Sequence, residues 1–412
     1  ITVVKVGTAF EFYRYLDANI YSIFNDVQIK FGDVIINDHK NSAHYYHMIN
    51  DATRGIDERY SDSIDYLALR PIVENSQLLA TTVDDGGGGY LTTISNQQSR
   101  HNSSFNNSFL GISPYIATHN YYFSIPLINF MGTYIDKPIP LHLLDEPITI
   151  EFTLSDPDDI FYTDAGNNRV SRYTISNLQY DACISYIPKE VSDVMFPNGE
   201  AQLLGKDYQF SQRHLQAGSS SFNDVFGEFK YTYAKNFLFF FTNPESRNRN
   251  TKIYTSQRVK AYVDEYNVRY MNEYYPKNKI RGFGDMISNV KKCFGGKSGI
   301  LNFDMYYTNA NNYLTATDLA YIAPNAPPNP PSYASFKKFI GAIPLQKYSI
   351  EKEEYLNGMD LTQGDIALEF NLVDVSINAY PEVRTQVSLA EGLSLFVFLE
   401  YDKIYTIKNG KI

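Results

Sequence analysis

The chain has 412 residues, of which 43% are hydrophobic and 20% are charged, and its formal net charge is −10. This composition is too apolar for a disordered protein, and the length suffices for two domains that each bury a core. The acidic balance disfavours a general nucleic-acid-binding protein, which would carry a basic face.

Cysteine content, aromatic content and the length of the apolar runs further restrict the kinds of protein that the chain can be. The two cysteines, Cys183 and Cys293, are too few for a disulfide framework, so we expect a reducing compartment and a packing role for each. The 35 Tyr and 27 Phe residues, against no Trp, favour β-strands. The longest apolar runs, at 237–241 and 393–399, are too short to span a bilayer. No secretory signal is recognised, and the first residue is Ile1, so we expect an amino end shortened by processing or trimming.

The first half contains one predicted helix and one long predicted loop. Residues 41–54 read as a short helix with Asn41 or Ser42 as its cap. Residues 84–114 are poor in aliphatic side chains and rich in Gly, Ser and Asn, so we expect a long exposed loop. The four glycines at 86–89 lack the surrounding strand and helix of a phosphate site, and they predict flexibility.

A nine-residue stretch occurs twice. ITIEFTLSD at 148–156 returns as IALEFNLVD at 366–374, at an offset of 218 (366 − 148). Period-two alternation in both copies predicts a strand with one face on a core. The residues predicted to face inwards are Ile148, Ile150, Phe152 and Leu154 in the first copy, and Ile366, Leu368, Phe370 and Leu372 in the second. A repeat of domain size indicates two similar domains in tandem.

Two further pairs of segments favour duplication. Residues 175–187 and 393–405 are both strand-like and keep the offset of 218. Residues 27–36 resemble 259–268 at an offset of 232 (259 − 27), and each of these precedes a predicted helix, the second at 280–294. We therefore expect the same order of elements in both halves.

These matches predict the division of the chain. We expect a first domain at 1–190, a linker at 191–206 marked by Pro and Gly, and a second domain at 207–412. The Pro-rich residues 323–335 fall at the point of the second half that corresponds to the Gly-rich loop of the first. Two equivalent long loops would then project from the same end of the molecule.

No cluster of residues matches a known catalytic or ligand-binding pattern. GGKS at 295–298 lacks the earlier Gly and the following helix of a phosphate loop. His39, His44 and His47 lack the spacing and the Glu of a zinc site, so we expect solvated or interface histidines. The aspartates within 156–164 lack EF-hand spacing and favour a capped turn over a calcium site.

The glutamates at the repeated strand do not form a catalytic pair in this interpretation. Glu151 and Glu369 occupy equivalent places, so each is expected on the polar face of its own domain, away from the other. No nucleophile has a base nearby in the sequence. We predict no catalytic, cofactor-binding or metal-binding residue.

One segment departs from the acidic balance. Within 276–297 there are six cations against one acid: Lys277, Lys279, Arg281, Lys291, Lys292 and Lys297 against Asp285. One interpretation is a solvated helix and loop. The other is a surface that faces nucleic acid, an anionic membrane or an acidic protein.

Three stretches carry a family resemblance. They are NDVQIKFG at 25–32 with the helix after it, PLHLL at 140–144 before the repeated strand, and LFVFLEYDK at 395–403 followed by Ile407 and Asn409-Gly410. On these residues the chain resembles the double jelly-roll major capsid proteins of double-stranded DNA viruses. It is most similar to the virophage and polinton-like branch of the lineage that includes adenovirus hexon.

The resemblance implies an all-β fold of two tandem eight-stranded jelly-roll β-sandwiches, with short helices and long apical loops. It implies a homotrimer whose six jelly rolls form a pseudo-hexagonal capsomer, and capsomers that tile an icosahedral shell. Implied partners are neighbouring capsomers, penton proteins and minor or cement capsid proteins. The expected location is the virion, after assembly in the host cytoplasm or nucleus. No enzymatic activity and no sequence-specific nucleic-acid binding are implied, and 276–297 would contact the genome or a membrane from inside.

One strand fits large permanent interfaces. Val397 and Leu399 lie on one face of it and Phe396 and Phe398 on the other, which predicts burial between sheets or against a neighbouring subunit. Two other functions stay open. One is a jelly-roll receptor- or carbohydrate-binding spike or minor capsid protein, and the other is a β-sandwich hydrolase with converging polar groups in a pocket.

Overall fold

The computed structural model describes these residues of the chain: 2–5, 14–16, 20–53, 80–84, 90–94, 118–120, 139–163, 170–180, 184–216, 221–242, 258, 263–294, 339–346, 356–372 and 393–411. None of the helices in these ranges is both long enough and apolar enough to cross a lipid bilayer.

The described elements are mostly strands. In the first half they are β1 Thr2–Lys5, β2 Arg14–Leu16, β3 Phe24–Phe31, β4 Val34–His39, β5 Ala80–Asp84, β6 Tyr90–Ile94, β7 Thr118–Asn120, β8 Ile148–Leu154, β9 Phe161–Thr163 and β10 Val170–Thr174. In the second half they are β11 Ala201–Leu215, β12 Ser221–Phe226, β13 Ala234–Thr242, β14 Val263–Tyr270, β15 Glu273–Arg281, β16 Gly341–Pro344, β17 Ile366–Leu372 and β18 Leu393–Ile407. The α-helices are α1 Ser42–Thr53, α2 Pro157–Ile160, α3 Lys189–Met195 and α4 Gly282–Cys293, and the 3-10 helices are Ile20–Ile23, Leu141–Leu143 and Pro197–Gly199.

The second half is a sandwich of two four-stranded antiparallel sheets. Their strand orders are β11-β18-β13-β16 and β12-β17-β14-β15. The two sheets face each other because Phe239 of the first packs edge-to-face on Tyr266 of the second, with ring centroids 5.0 Å apart. Phe370 of β17 lies on the same side of this core, as predicted, and is buried together with Ile366 and Leu368.

Strand β18 is apolar and buried on both faces, which confirms the prediction made for 396–399. Val397 pairs with Phe239 and so shares its inward face. Phe396 and Phe398 alternate with it and point out of the sandwich. All three side chains are buried, so the outer face of this sheet is covered as well.

The described part of the first half contains the sheets β10-β1-β7 and β4-β3-β8 and the pairs β2-β9 and β5-β6, all antiparallel. In β8 the predicted alternation holds from Ile148 to Phe152, where the apolar residues are half-buried and the polar ones exposed. The inward prediction for Leu154 is wrong, because this side chain is exposed. A bulge between Phe24 and Asp26 of the partner strand shifts the register there and turns the strand end away.

A unit of strand, two-residue turn, strand and helix occurs twice. It is β3-β4-α1 in the first half and β14-β15-α4 in the second, and each helix has 12 residues. Phe31 faces Val34 across the first turn, and Tyr270 faces Glu273 across the second. The order β4-β3-β8 in one sheet matches β15-β14-β17 in the other. The paired helices and the equivalence of β8 with β17 are therefore confirmed.

The predicted offset of 232 between the first strands of these units is wrong. Phe31 and Tyr270 hold the same place against β8 and β17, which gives an offset of 239 (270 − 31). Val27 and Tyr266 keep that offset, and a bulge follows the first residue of both strands. Alternation alone does not fix the register between two similar strands, and this explains the error.

Three other expectations need correction. Residues 90–94 form β6, paired with β5, so the predicted loop at 84–114 contains a strand. Residues 175–180 and 184–188 form no strand, although 175–187 were predicted strand-like. Strand β11 starts at Ala201, inside the predicted linker at 191–206. The glycines at 86–89, Cys183, Lys297, the GGKS residues and the Pro-rich loop at 323–335 lie outside the described residues.

Candidate functional site: the junction of the two halves

Helix α1 of the first half packs on the outer face of the second sandwich. Tyr45 stacks on Tyr208 of β11, with centroids 3.8 Å apart, and lies 5.4 Å from Phe398 of β18. His44 contacts Phe396 edge-on at 5.0 Å. The outward side chains of β18, predicted to be buried by another sheet or another subunit, are thus covered by the chain's own first half. We call this contact of α1 and β4 with β11 and β18 the junction.

The end of β4 binds the opposite side of the same edge strand. His39 Nε2 lies 2.9 Å from Asp207 Oδ1, and its ring stacks on Tyr208 at 4.7 Å. Asp207 and Tyr208 are consecutive in a strand, so their side chains point to opposite faces of the sheet. The first half therefore contacts both faces of β11, which is the edge strand of its sheet.

Asp207 is the first of three buried carboxylates on β11 and β18. Besides His39 it accepts hydrogen bonds from the Tyr401 hydroxyl at 3.1 Å and the Tyr208 amide at 2.7 Å, and Lys403 Nζ lies 3.5 Å away. Burial alone would raise the pKa of Asp207, but the hydrogen bond and charge of His39, together with Lys403 and the amide, hold it below its usual value. The carboxylate is thus ionised at neutral pH.

Glu400 is the second buried carboxylate and is fully enclosed. It accepts hydrogen bonds from the Tyr45 hydroxyl at 2.6 Å and from Asn236 Nδ2 at 2.7 Å, and Lys206 Nζ lies 2.8 Å away. Burial first, and then the charge of Glu400, raise the pKa of Tyr45 well above its usual value. Tyr45 therefore stays protonated, and its hydroxyl donates a hydrogen bond to the carboxylate across the junction.

Asp402 is the third, two residues further along the same face of β18. Its Oδ2 forms an ion pair with Lys235 Nζ at 2.7 Å. The same oxygen accepts a hydrogen bond from the Leu356 amide at 2.7 Å. A buried carboxylate is costly unless its charge is matched, and Lys235 supplies the matching charge at Oδ2. The outward face of β18 thus changes from phenylalanine to paired acids along its length.

A second contact joins the carboxyl end of the chain to the first half. Leu144 forms a parallel bridge with Gly410, and the Asp145 amide donates to the Gly410 carbonyl at 3.0 Å. Gly410 has φ +77°, and a Cβ placed there would lie 1.8 Å from Asp145 Oδ2, so this position requires glycine. The PLHLL and Asn409-Gly410 segments, both quoted for the family resemblance, therefore meet in space.

The duplicated unit carries a repeated set of ion pairs that the sequence interpretation missed. Lys30 Nζ lies 2.7 Å from Glu151, and Arg269 Nε lies 2.9 Å from Glu369. Each glutamate thus binds a cation on its own sheet, which agrees with the prediction that the two acids stay apart. The signal was present in the sequence as the acid-apolar-amide-apolar-cation pattern DVQIK and its counterpart EYNVR at the offset of 239.

A second repeated pair begins each helix. Asp26 Oδ1 accepts from the Asn41 amide at 3.0 Å and Oδ2 lies 3.6 Å from Lys40. Its counterpart Glu265 binds Lys279 and Arg281, each at 2.5 Å. An acid at the strand bulge therefore fixes the residues just before the helix in both halves. Neither this acid nor its cations were singled out from the sequence.

The residues considered as ligands from sequence have other roles. His39, His44 and His47 are all buried, so the interface alternative is correct for His39 and His44 and the solvated alternative is wrong. Asp156 Oδ1 accepts the Asp158 amide at 2.9 Å at the start of α2, which confirms the capped turn. In the part of the chain that the structure describes, no three His, Cys, Asp or Glu side chains are placed to hold a metal ion.

Two further predictions concern the cap of α1 and the role of Cys293. Ser42 does not cap α1, because its hydroxyl donates to the Phe24 carbonyl at 2.6 Å and so joins the helix to β3. Cys293 is buried, and burial raises the pKa of its thiol well above the usual value. The packing role predicted for Cys293 is confirmed.

Acid should weaken the junction through Asp207. Because its folded pKa lies below the unfolded value near 3.8, its ionised form stabilises the fold above that pH, and this contribution is lost as the pH falls through the lower folded pKa. We expect the free energy of unfolding, measured by denaturant titration, to fall below about pH 4. The Asp207→Asn variant should start lower at neutral pH and lose less on acidification. An identical acid dependence in both proteins would contradict this role.

Comparison with solved structures identifies the type of fold. The chain aligns over its full length with 94% of a chain of the PBCV-1 virus capsid, with a TM-score of 0.51 and 9% identity. It aligns over 98% of its length with 75% of the Faustovirus major capsid protein, with a TM-score of 0.51 and 8% identity. No protein-family model and no curated protein matches the sequence. At this identity the likeness concerns the fold, which is the double jelly roll of antiparallel β-sandwiches.

Proposed function

We propose that the chain is a structural major capsid protein, three copies of which form a pseudo-hexagonal capsomer that tiles the icosahedral shell of a double-stranded DNA virus. The observation that carries the proposal is the double jelly-roll fold, since the alignment with a chain of the PBCV-1 virus capsid covers the full length of this chain. The junction supports it physically. A tile must keep its two sandwiches at a fixed angle, and buried ion pairs with stacked aromatic rings resist rotation of one half against the other.

The proposed partners follow from tiling. Each homotrimer contacts neighbouring capsomers, penton proteins and minor or cement capsid proteins, and the protein resides in the virion after assembly in the host cytoplasm or nucleus. The role is structural, with no catalysis and no sequence-specific reading of nucleic acid. The division into domains at 1–190 and 207–412 remains part of this proposal, with the second sandwich extended back to Ala201, where β11 starts.

The basic segment at 276–297 is proposed to face inwards. Glu265 pairs with both Lys279 and Arg281 and offsets one of their two positive charges, and Lys277, Lys291 and Lys292 are exposed cations in the described part of the segment. The last two lie in the final turn of α4, where a positive charge also stabilises the helix dipole. Their proposed ligand is the phosphate of the packaged genome or of a membrane headgroup.

The test is the mass and shape of the purified protein and its assembly into shells. We expect a trimer of about 141 kDa (3 × 47.1 kDa) with a hexagonal outline in negative stain, which forms shells when coexpressed with its partner capsid proteins. The Lys291→Glu/Lys292→Glu variant should still form this trimer but should yield fewer shells. A monomer at all concentrations would contradict the tile. Normal shells from the charge-reversed variant would contradict only the inward contact.

A further inference from the structure

The two larger sheets of the first half each have one strand fewer than their counterparts in the second half. The sheet β4-β3-β8 corresponds to β15-β14-β17, which β12 extends beyond β17. The sheet β10-β1-β7 corresponds in the same way to β18-β13-β16, which β11 extends beyond β18. In the part of the chain that the structure describes, no strand pairs with β8 on the side away from β3. We call that side the open edge of β8.

The order of the elements along the chain shows where the additional strands would belong. The second half runs β11, β12, β13, β14, β15, α4, β16, β17, β18, and the elements from β13 onwards have counterparts in β1, β3, β4, α1, β7, β8 and β10, in the same order. The elements of this series without a described counterpart, β11 and β12, both come before β13. Their counterparts would come before β1, where the sequence contains only Ile1. A strand at that place must therefore come from outside the 412 residues.

The side chains of β8 are less covered than those of β17. Leu368 and Phe370 of β17 are 0% and 1% exposed. Ile150 and Phe152, which hold the same places against β3, are only half-buried. Strand β12 accounts for part of this difference, because its Phe222 pairs with Phe370 and the two rings stack with centroids 4.7 Å apart. The core beside β8 thus lacks the cover that β12 gives to β17.

The backbone of β8 is oriented to accept another strand. The Pro147 carbonyl accepts a hydrogen bond from the Gly32 amide at 3.3 Å, and the Ser155 amide donates to the Ile23 carbonyl at 2.8 Å. The odd-numbered residues therefore direct their backbone groups to the side of β3. Alternate residues of an antiparallel strand direct these groups to opposite sides, so Ile150 directs its own to the open edge. Such an edge readily binds an extended polypeptide by strand addition.

We propose that the open edge of β8 binds a β-strand like β12, antiparallel to β8 and with an aromatic side chain opposite Phe152, and that this strand belongs to polypeptide joined ahead of Ile1. Strands β8 and β17 share Ile, Glu, Phe and Leu at equivalent places, so the structure already contains nearly the same edge with its strand bound. The place ahead of Ile1 follows from the repeat, because β12 comes directly before β13. The inference depends on the internal repeat of the fold and is independent of the proposed function.

A synthetic peptide with the sequence of residues 219–228, which contains β12, tests the edge. We expect saturable binding to the 412-residue protein in fluorescence anisotropy. N-methylation of the peptide at Phe222 and Asp224 removes the amides that would face β8, and it should weaken binding at least about 10-fold. N-methylation at Asn223 and Val225, whose amides would face away, is the matched control and should change the affinity less than about 3-fold. No saturable binding, or equal binding of the two methylated peptides, would overturn the proposal.

Variants of Ile150 locate the binding site on β8. Ile150→Pro removes an amide that faces the open edge, and an edge strand tolerates proline at such a place. We expect this variant to bind the peptide at least about 10-fold more weakly than Ile150→Ala, which keeps the amide. Equal binding by the two variants would refute the site. Should circular dichroism show that Ile150→Pro is unfolded, the original protein decides: the peptide should slow hydrogen exchange of the Ile150 amide, and an unchanged rate would refute the site.

A longer chain tests the source of the strand. It carries a second copy of residues 201–233, which contain β11, β12 and the connection to β13, joined ahead of Ile1. A tethered strand has a high effective concentration, so we expect this chain to bind the peptide at least about 100-fold more weakly than the original. Equal binding by the two chains would show that the strand comes from a separate protein and would overturn its placement ahead of Ile1.

Discussion

Replacing Glu400 with Leu should lower the free energy of unfolding by about 3–5 kcal/mol, because it removes one partner from a buried ionic cluster. Lys206, Asn236 and Tyr45 would lose a shared acceptor whose side chain is fully enclosed. Denaturant unfolding of the purified protein measures this loss, and Glu400→Gln should lose less, since it keeps an acceptor for Tyr45.

Glu151 provides the matched control for that substitution. It also pairs with a lysine, Lys30, at 2.7 Å, but its side chain is 53% exposed. Exposed pairs contribute about 0–1 kcal/mol, so Glu151→Leu should change stability by no more than this. Equal effects of the two substitutions would show that the burial of Glu400 does not determine its contribution to the junction.

Replacing Phe398 with Ala should cost about 3–5 kcal/mol, since truncation of a buried phenylalanine leaves a cavity. The ring contacts Tyr45, Tyr208, Phe210 and Phe240, so the cavity would lie between α1 and the second sandwich. We expect faster amide hydrogen exchange in α1 as well as a lower unfolding midpoint.

Phe239 separates loss of the junction from loss of the core. It lies on the inward face of the same sheet, against Tyr266. Phe239→Ala should destabilise the protein by a similar amount but should accelerate exchange first in β14 and β17, not in α1. If both variants loosen α1 equally, the junction and the second sandwich unfold as one unit, and the specific role of Phe398 is refuted.

Local signals explain which parts of the fold were predictable. The alternation in β8 and β17, the two apolar faces of β18 and the helices at 42–53 and 282–293 each depend on residues close in sequence. Residues 175–180 and 184–187 have the same apolar pattern as β18 but form no strand, because a strand also requires a ladder partner that the local sequence does not specify. The β5-β6 hairpin was missed for the opposite reason, since the glycines beside β6 dominated its local composition.

The junction depends on distant pairs, so most of it could not be predicted. Glu400 and Asp402 continue the outward face of Phe396 and Phe398 at period two. Two acids on an otherwise buried face were a usable signal, because buried carboxylates require partners. Their partner Tyr45 lies 355 positions away in the sequence. No single-sequence pattern connects groups at that distance. The register of β14, in contrast, was predictable. The charge pattern of EYNVR matches that of DVQIK at the offset of 239, and this match aligns β14 with β3.

The bridge between Leu144 and Gly410 has a consequence for biosynthesis. Because a ribosome makes the amino end first, the first half leaves the exit tunnel long before β18 and the residues after it are made. The contact between the two halves can therefore form only after the chain has been synthesised as far as Gly410. A chain interrupted before Leu393 lacks the three residues Phe396, Phe398 and Glu400 on which α1 rests, so a prematurely terminated product cannot form the junction.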